Sequence, residues 1–113
     1  MKVLWRTLGA VSLMLGSLPA LGEIPTVELE IRDHLFFPAT IEIPADTKVR
    51  LLVINNDPTA EEFESYPLNR EKVIAGNSRG VIFIGPLSPG EYSFFGEFFP
   101  RTAQGKVVVL PRN

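Results

Sequence analysis

From Thr26 onward the chain alternates apolar and polar residues with a period of two. In TVELEIR, Val27, Leu29 and Ile31 stand against Glu28, Glu30 and Arg32. That spacing belongs to a strand with one wet face, because successive strand side chains point to opposite sides. TIEIP repeats it with Ile41 and Ile43, while KVRLLVINN and VIFIG are near-continuous apolar runs that suit more deeply buried strands. Turn formers punctuate the runs: Pro44 to Thr47, NNDP, AGNSRG and SPGEY. Pro89 and Gly90 suit the two central positions of a type II turn. No stretch carries three turns of amphipathic helix. The pattern predicts an all-β fold, an antiparallel Greek-key β-sandwich of seven or eight short strands.

Nothing covalent staples such a sandwich, since the chain of 113 residues has no cysteine. Its stability must come from a packed core, and eight Phe with many Val, Ile and Leu supply one. Residues 1–22 read as a secretory signal peptide. Lys2 and Arg6 precede an apolar run from Thr7 to Leu18, and Ala20 and Gly22 put small residues where a signal peptidase cuts. The run is short for a membrane span, which needs about 20 residues; an uncleaved anchor is the alternative. Export implies a periplasmic location for residues 23–113, one sandwich domain. That part carries nine Lys and Arg against thirteen Asp and Glu, a formal charge of −4. Such a balance argues against nucleic acid or an anionic membrane surface as the main partner, leaving contact with the membrane to partner proteins.

No nucleophile stands in a distinctive setting beside a base, and no glycine-rich phosphate loop precedes a helix. The residues with chemistry are carboxylates and one imidazole. DPTAEEFESYP packs Glu61, Glu62 and Glu64 around Phe63. In an extended segment Glu62 and Glu64 share one face while Glu61 sides with Phe63. If Phe63 enters the core, Glu61 is directed inward, where a carboxylate needs a cation or hydrogen-bond donors. The same acidic run also fits a solvated edge that deters strand-to-strand aggregation. His34, in RDHLFFP, fits a ligand or an ordinary hydrogen-bonded surface residue. Glu97, in FGEFF, turns inward only if the chain bends after Gly96. Phe94, Phe95, Phe98 and Phe99 read as packing, and Arg70, Lys72 and Arg101 as solvated charges.

FFPATIEIPADTKVRLLVINND and PGEYSFFGEF together resemble the cupredoxin-like domain family, over essentially all of residues 23–113. EEFES, LNREKVIAG, GPLSPGEY and FFGEFFPRTAQG are similar to the periplasmic cupredoxin-like component of bacterial ferrous-iron uptake systems. That resemblance implies work beside a periplasmic iron-binding protein, a membrane iron permease and a membrane ferredoxin-like protein. It implies metal or electron handling, with copper or iron as the cofactor, and at most assistance to the oxidation of ferrous iron rather than enzymatic turnover.

Blue-copper members of the family place their first His where Glu61 stands, their Cys at Gly96, their second His near Arg101 and their Met near Lys106. None of the four matches. Without the thiolate no short Cu–S bond forms, so a type-1 copper site is excluded. The iron-uptake relatives usually follow FGEF with a polar residue, often His, where this chain has Phe99. The resemblance therefore shifts the expected ligand set to Glu61, Glu62, Glu64, Glu97 and His34. Oxygen-rich sites with one imidazole suit Cu(II), iron or manganese better than Cu(I). The competing expectation is a metal-free module that docks on a membrane or periplasmic partner protein.

Overall fold

The structure is a computed structural model that describes residues 23–112. The segment read as a signal peptide, residues 1–22, lies outside the described residues. Nine strands follow in order: β1 (Thr26–Arg32), β2 (Leu35–Phe37), β3 (Thr40–Pro44), β4 (Val49–Asn55), β5 (Glu61–Ser65), β6 (Arg70–Ile74), β7 (Ser78–Ile84), β8 (Gly90–Gly96) and β9 (Gln104–Leu110). They form a four-stranded sheet, β2-β1-β4-β7, and a five-stranded sheet, β3-β9-β8-β5-β6. The fold is the all-β sandwich that the alternation implies.

Three details differ from the sequence expectation. Nine strands replace seven or eight, because β2 has only three residues and β6, REKVI, shows no alternation. Four of the five β6 residues are exposed, as befits an edge strand with no apolar face to announce it. The sheets are also mixed rather than antiparallel. β1 runs parallel to β4, with Leu29 opposite Val53, and β3 runs parallel to β9, with Ile41 opposite Val107. Both pairings follow from strands that cross between the sheets before returning. At Gly90 the φ of 152° is far from the value near +80° that a type II turn requires, so the chain bends into β8 instead.

The core is the interleaved inner faces of the sheets. Leu29, Ile31, Leu51, Val53, Ile82 and Ile84 come from one side, and Ile41, Ile43, Phe63, Phe94, Val107 and Val109 from the other. Phe63 stacks on Phe94 with ring centroids 5.0 Å apart, and Phe36 from β2 meets Phe94 edge-on at 5.0 Å. Aromatic pairs of this kind add about 0.5–1.5 kcal/mol each beyond the area they bury.

Two buried polar side chains shape the end of the sandwich that receives β5. Asn55 donates its amide to the carbonyls of Thr59, Ile74 and Ala75, and its oxygen accepts the N–H of Asp57. The β4–β5 connection is thereby tied to the end of β6. Asp57 accepts the N–H groups of Asp33 and His34 at 2.8 and 2.9 Å. Those two residues form the β1–β2 turn and both have positive φ, 56° and 60°. A two-residue hairpin turn of this hand favours Asn-Gly, and here the Asp57 carboxylate holds an Asp-His pair in its place.

Candidate metal centre

Strand alternation places the acidic residues of β5 on two different faces. Phe63 is fully buried, and Glu61 goes in with it, only 1% exposed. Glu62 and Glu64 point to the outer face of the five-stranded sheet, both half-buried. The β5–β6 hairpin then adds a residue that the sequence reading does not single out: Glu71 lies directly opposite Glu64. Carboxylate oxygens of Glu62, Glu64 and Glu71 lie within 4.8 Å of one another.

The signal for Glu71 was present in the loop. Tyr66 to Asn69 closes the hairpin, the N–H of Asn69 donating to the Tyr66 carbonyl at 3.0 Å with Asn69 at φ 55°. Ser65 pairs with Arg70, so one step outward on each strand sets Glu64 against Glu71. β6 carries no apolar alternation, so the sequence does not announce the strand that presents Glu71.

Like charges directly opposite on a sheet destabilise it, and two of the three carboxyls are held above their ordinary acidity range. Glu62 is raised above the ordinary carboxylate value, first by desolvation, then by a hydrogen bond to the Glu71 side chain, then by the charges of Glu64, Glu71 and Glu97. Glu64 is raised by desolvation, then by Glu71 and Glu97. A cation bound among the three carboxylates would relieve the same repulsion.

Glu97 sits beside this group in the turn after β8, exposed, its N–H donating to the Glu62 carbonyl at 2.8 Å. Its charge reaches Glu62 and Glu64. Glu61 does different work on the inner side. Its Oε1 accepts the N–H groups of Glu62 and Phe98, each at 2.9 Å, and its Oε2 is buried with no hydrogen-bond partner among the described residues. His34 is held elsewhere. Its ring stacks on Phe99 with centroids 3.6 Å apart, its Nδ1 is 3.5 Å from Asp57 Oδ2, and its carbonyl accepts the Thr102 hydroxyl at 2.7 Å. Of the five residues expected as ligands, the structure thus brings Glu62 and Glu64 together, with Glu97 adjacent. Glu61 and His34 are engaged with the β8–β9 loop.

Gly96 touches Glu61. A Cβ added at Gly96 would fall against Glu61 Oε2 and within 2.7 Å of the Ala103 Cβ. The two positions at which blue-copper proteins carry His and Cys therefore meet in space, but they hold a carboxylate and a bare backbone. Arg101 is exposed, and Lys106 pairs with Glu91 at 3.1 Å. Type-1 copper does not fit these residues: no thiolate is present, and the space a cysteine would take is filled by Glu61. The outer cluster is different. Three convergent carboxylates match the oxygen preference of hard or borderline cations.

The profile of a family described as "Cupredoxin-like domain" matches residues 6–109. An uncharacterized protein of Rickettsia prowazekii (strain Madrid E) is 46% identical over 83 residues, which is 74% of this chain and 66% of that protein. The chain thus spans just under two thirds of that relative's length. Among solved structures, the metal-binding domain of the Cu(I)-exporting P-type ATPase CopA of Streptococcus pneumoniae D39 superposes with a TM-score of 0.69 at 15% identity, covering 79% of this chain and 88% of that one. Auracyanin A, a blue copper protein of Chloroflexus aurantiacus, gives a TM-score of 0.67 at 15% identity over 78% of this chain and all of its own. Amicyanin of Paracoccus versutus gives 0.61 at 16% identity, with 80% and 89% covered. At such identities the likeness is one of fold.

Proposed function

Because the chain belongs to the cupredoxin-like domain family, we propose that it is a metal-handling accessory protein whose site uses oxygen donors in place of sulfur. The cation, Cu(II) or iron, is held on the outer face of β5 and β6 by Glu62, Glu64 and Glu71, with the charge of Glu97 alongside. The observation that carries this reading is the convergence of three carboxylates within 4.8 Å on one sheet face, with Glu62 and Glu64 raised in pKa by desolvation and then by neighbouring carboxylates.

A bound divalent or trivalent cation would supply the positive charge that offsets these three carboxylates. The chain's own residues do the rest: Glu62, Glu64 and Glu71 bind, the β5–β6 register orients them, and Glu61 fixes the loop behind them. The resemblance of EEFES and FFGEFFPRTAQG to the periplasmic component of ferrous-iron uptake systems supports a role in iron import. In that role the protein acts in the periplasm, passing metal to or from a periplasmic iron-binding protein and a membrane permease. Radio-iron uptake by cells carrying Glu62→Gln with Glu64→Gln in place of the native gene tests it: uptake falls if the reading holds, and normal uptake refutes the metal role.

A further inference from the structure

The end of the sandwich that holds Glu61 is tied shut by its own polar groups. Glu61 Oε1 accepts two N–H groups, from Glu62 and from Phe98, each at 2.9 Å. The Glu97 N–H donates to the Glu62 carbonyl at 2.8 Å. One carboxylate oxygen and two backbone segments thus close a ring of hydrogen bonds between β5 and the β8–β9 loop. Within the loop, the Gly96 N–H donates to the Ala103 carbonyl at 2.8 Å, and the Gly96 carbonyl accepts the Phe99 N–H at 3.3 Å. The other sheet holds the loop as well. The His34 ring stacks on Phe99, and the Thr102 hydroxyl donates to the His34 carbonyl. His34 Nδ1 faces Asp57, whose two oxygens already accept the N–H groups of Asp33 and His34.

One oxygen is left over. Glu61 Oε2 has no hydrogen-bond partner among the described residues, in a side chain only 1% exposed. A Cβ on Gly96 would fall against it and lie 2.7 Å from the Ala103 Cβ. Its neighbours on that side are therefore a bare backbone and a methyl group. A single oxygen in such company cannot replace a metal's hydration shell, which takes four or more donors at zinc, calcium or magnesium sites. Among the described residues, three or more acidic or imidazole side chains converge only at Glu62, Glu64 and Glu71, on the outer face. We propose that Glu61 is a specificity-determining residue that shuts this end of the sandwich to copper. Its carboxylate takes the place of an ion, and the loop is closed whether or not metal is present. Cu(I), which favours soft sulfur donors, is refused by the whole chain. The refusal stands on the geometry around Glu61 and Gly96; only the binding of other cations on the outer face rests on the reading above.

Exchanging the two residues tests where the refusal lies. The full chain carrying Glu61→His with Gly96→Cys brings an imidazole and a thiol to the point where a carboxylate and a bare backbone now meet. Because the native chain has no cysteine, Ser93→Cys, at an exposed position, controls for a lone thiol. Each protein competes with bicinchoninate for Cu(I) under reducing conditions. The native chain is expected to leave Cu(I) with the chelator, and the double variant to bind it at least about tenfold more tightly than Ser93→Cys. Amide hydrogen exchange gives a second readout on the native chain, should the double variant fail to fold. The Phe98 amide should be protected in chelator-treated protein and keep its rate within about twofold when Cu(II) or iron is added. Cu(I) uptake by the native chain, a folded double variant no better than Ser93→Cys, or a Phe98 amide protected only after metal is added would each overturn the proposal. Failure of Cu(II) and iron to bind the native chain, with these results unchanged, would refute the outer metal site and leave the closed end standing.

Discussion

The carboxylate of Glu61 accepts the backbone N–H of Phe98 at 2.9 Å, joining the start of β5 to a loop 37 residues further along the chain. One buried side chain thus fixes the β8–β9 loop against the strand that presents the acidic cluster. Glu61→Ala removes the acceptor for Phe98 and for Glu62 and leaves an unfilled space. Denaturant unfolding should show a loss of about 2–4 kcal/mol, while Glu61→Gln, which keeps an acceptor oxygen, should lose less. A cost of the alanine variant within the range of ordinary surface changes, about 0.5 kcal/mol, would remove Glu61 from this structural role.

Gly96 and Glu61 should behave as a coupled pair. Gly96→Ala drives a methyl group into the Glu61 carboxylate and the Ala103 side chain, an overpacking expected to cost about 1–3 kcal/mol. Repeating the substitution in a Glu61→Ala background should lower that cost by at least about 0.5 kcal/mol, since neighbours in contact are not additive. Strict additivity in the double-mutant cycle would contradict the contact.

Glu62 and Glu64 titrate above the ordinary value of 4.5 in the folded protein. Between that value and their folded values the native state binds more protons than the unfolded chain. Their contribution to stability is therefore fully present below pH 4.5 and is lost as pH rises through the folded values. With no metal added, thermal unfolding should show this decline, and Glu71→Gln should raise Tm by a few degrees at pH 7 with little effect at pH 4. A Tm unchanged by Glu71→Gln at pH 7 would mean that the carboxylates do not strain one another.

His34 offers a contrast. Its ring packs on Phe99 and lies beside Asp57, so His34→Ala should cost about 0.5–1.5 kcal/mol of stability. Its effect on cation affinity should stay below about twofold, as for a residue outside the ligand set. A loss of tenfold or more, measured by calorimetry, would put the imidazole on the metal.

Much of this architecture is written in the alternation of the strands. TVELEIR and TIEIP mark their buried faces, and the spacing from Phe63 places Glu61 inside and Glu62 and Glu64 outside. VIFIG, apolar throughout, reads as a buried strand, yet Val81 and Phe83 face outward. The parallel pairings escape such reading because they depend on which sheet each strand joins, and alternation within a strand carries no trace of that. β6 escapes because an exposed edge has no apolar period, and Glu71 goes with it. The vacancy at Gly96 is legible only as a missing cysteine. That Glu61 occupies the space is a fact of packing.

The most direct test of an oxygen-donor metal site is calorimetric titration of the protein with Cu(II) and with iron, alongside the variant carrying Glu62→Gln, Glu64→Gln and Glu71→Gln. The account expects binding tighter than about millimolar, a level equivalent to ~4 kcal/mol, that weakens as protons compete at lower pH and drops at least tenfold in the triple variant. Binding no tighter than millimolar, or equally tight in the variant, would contradict it.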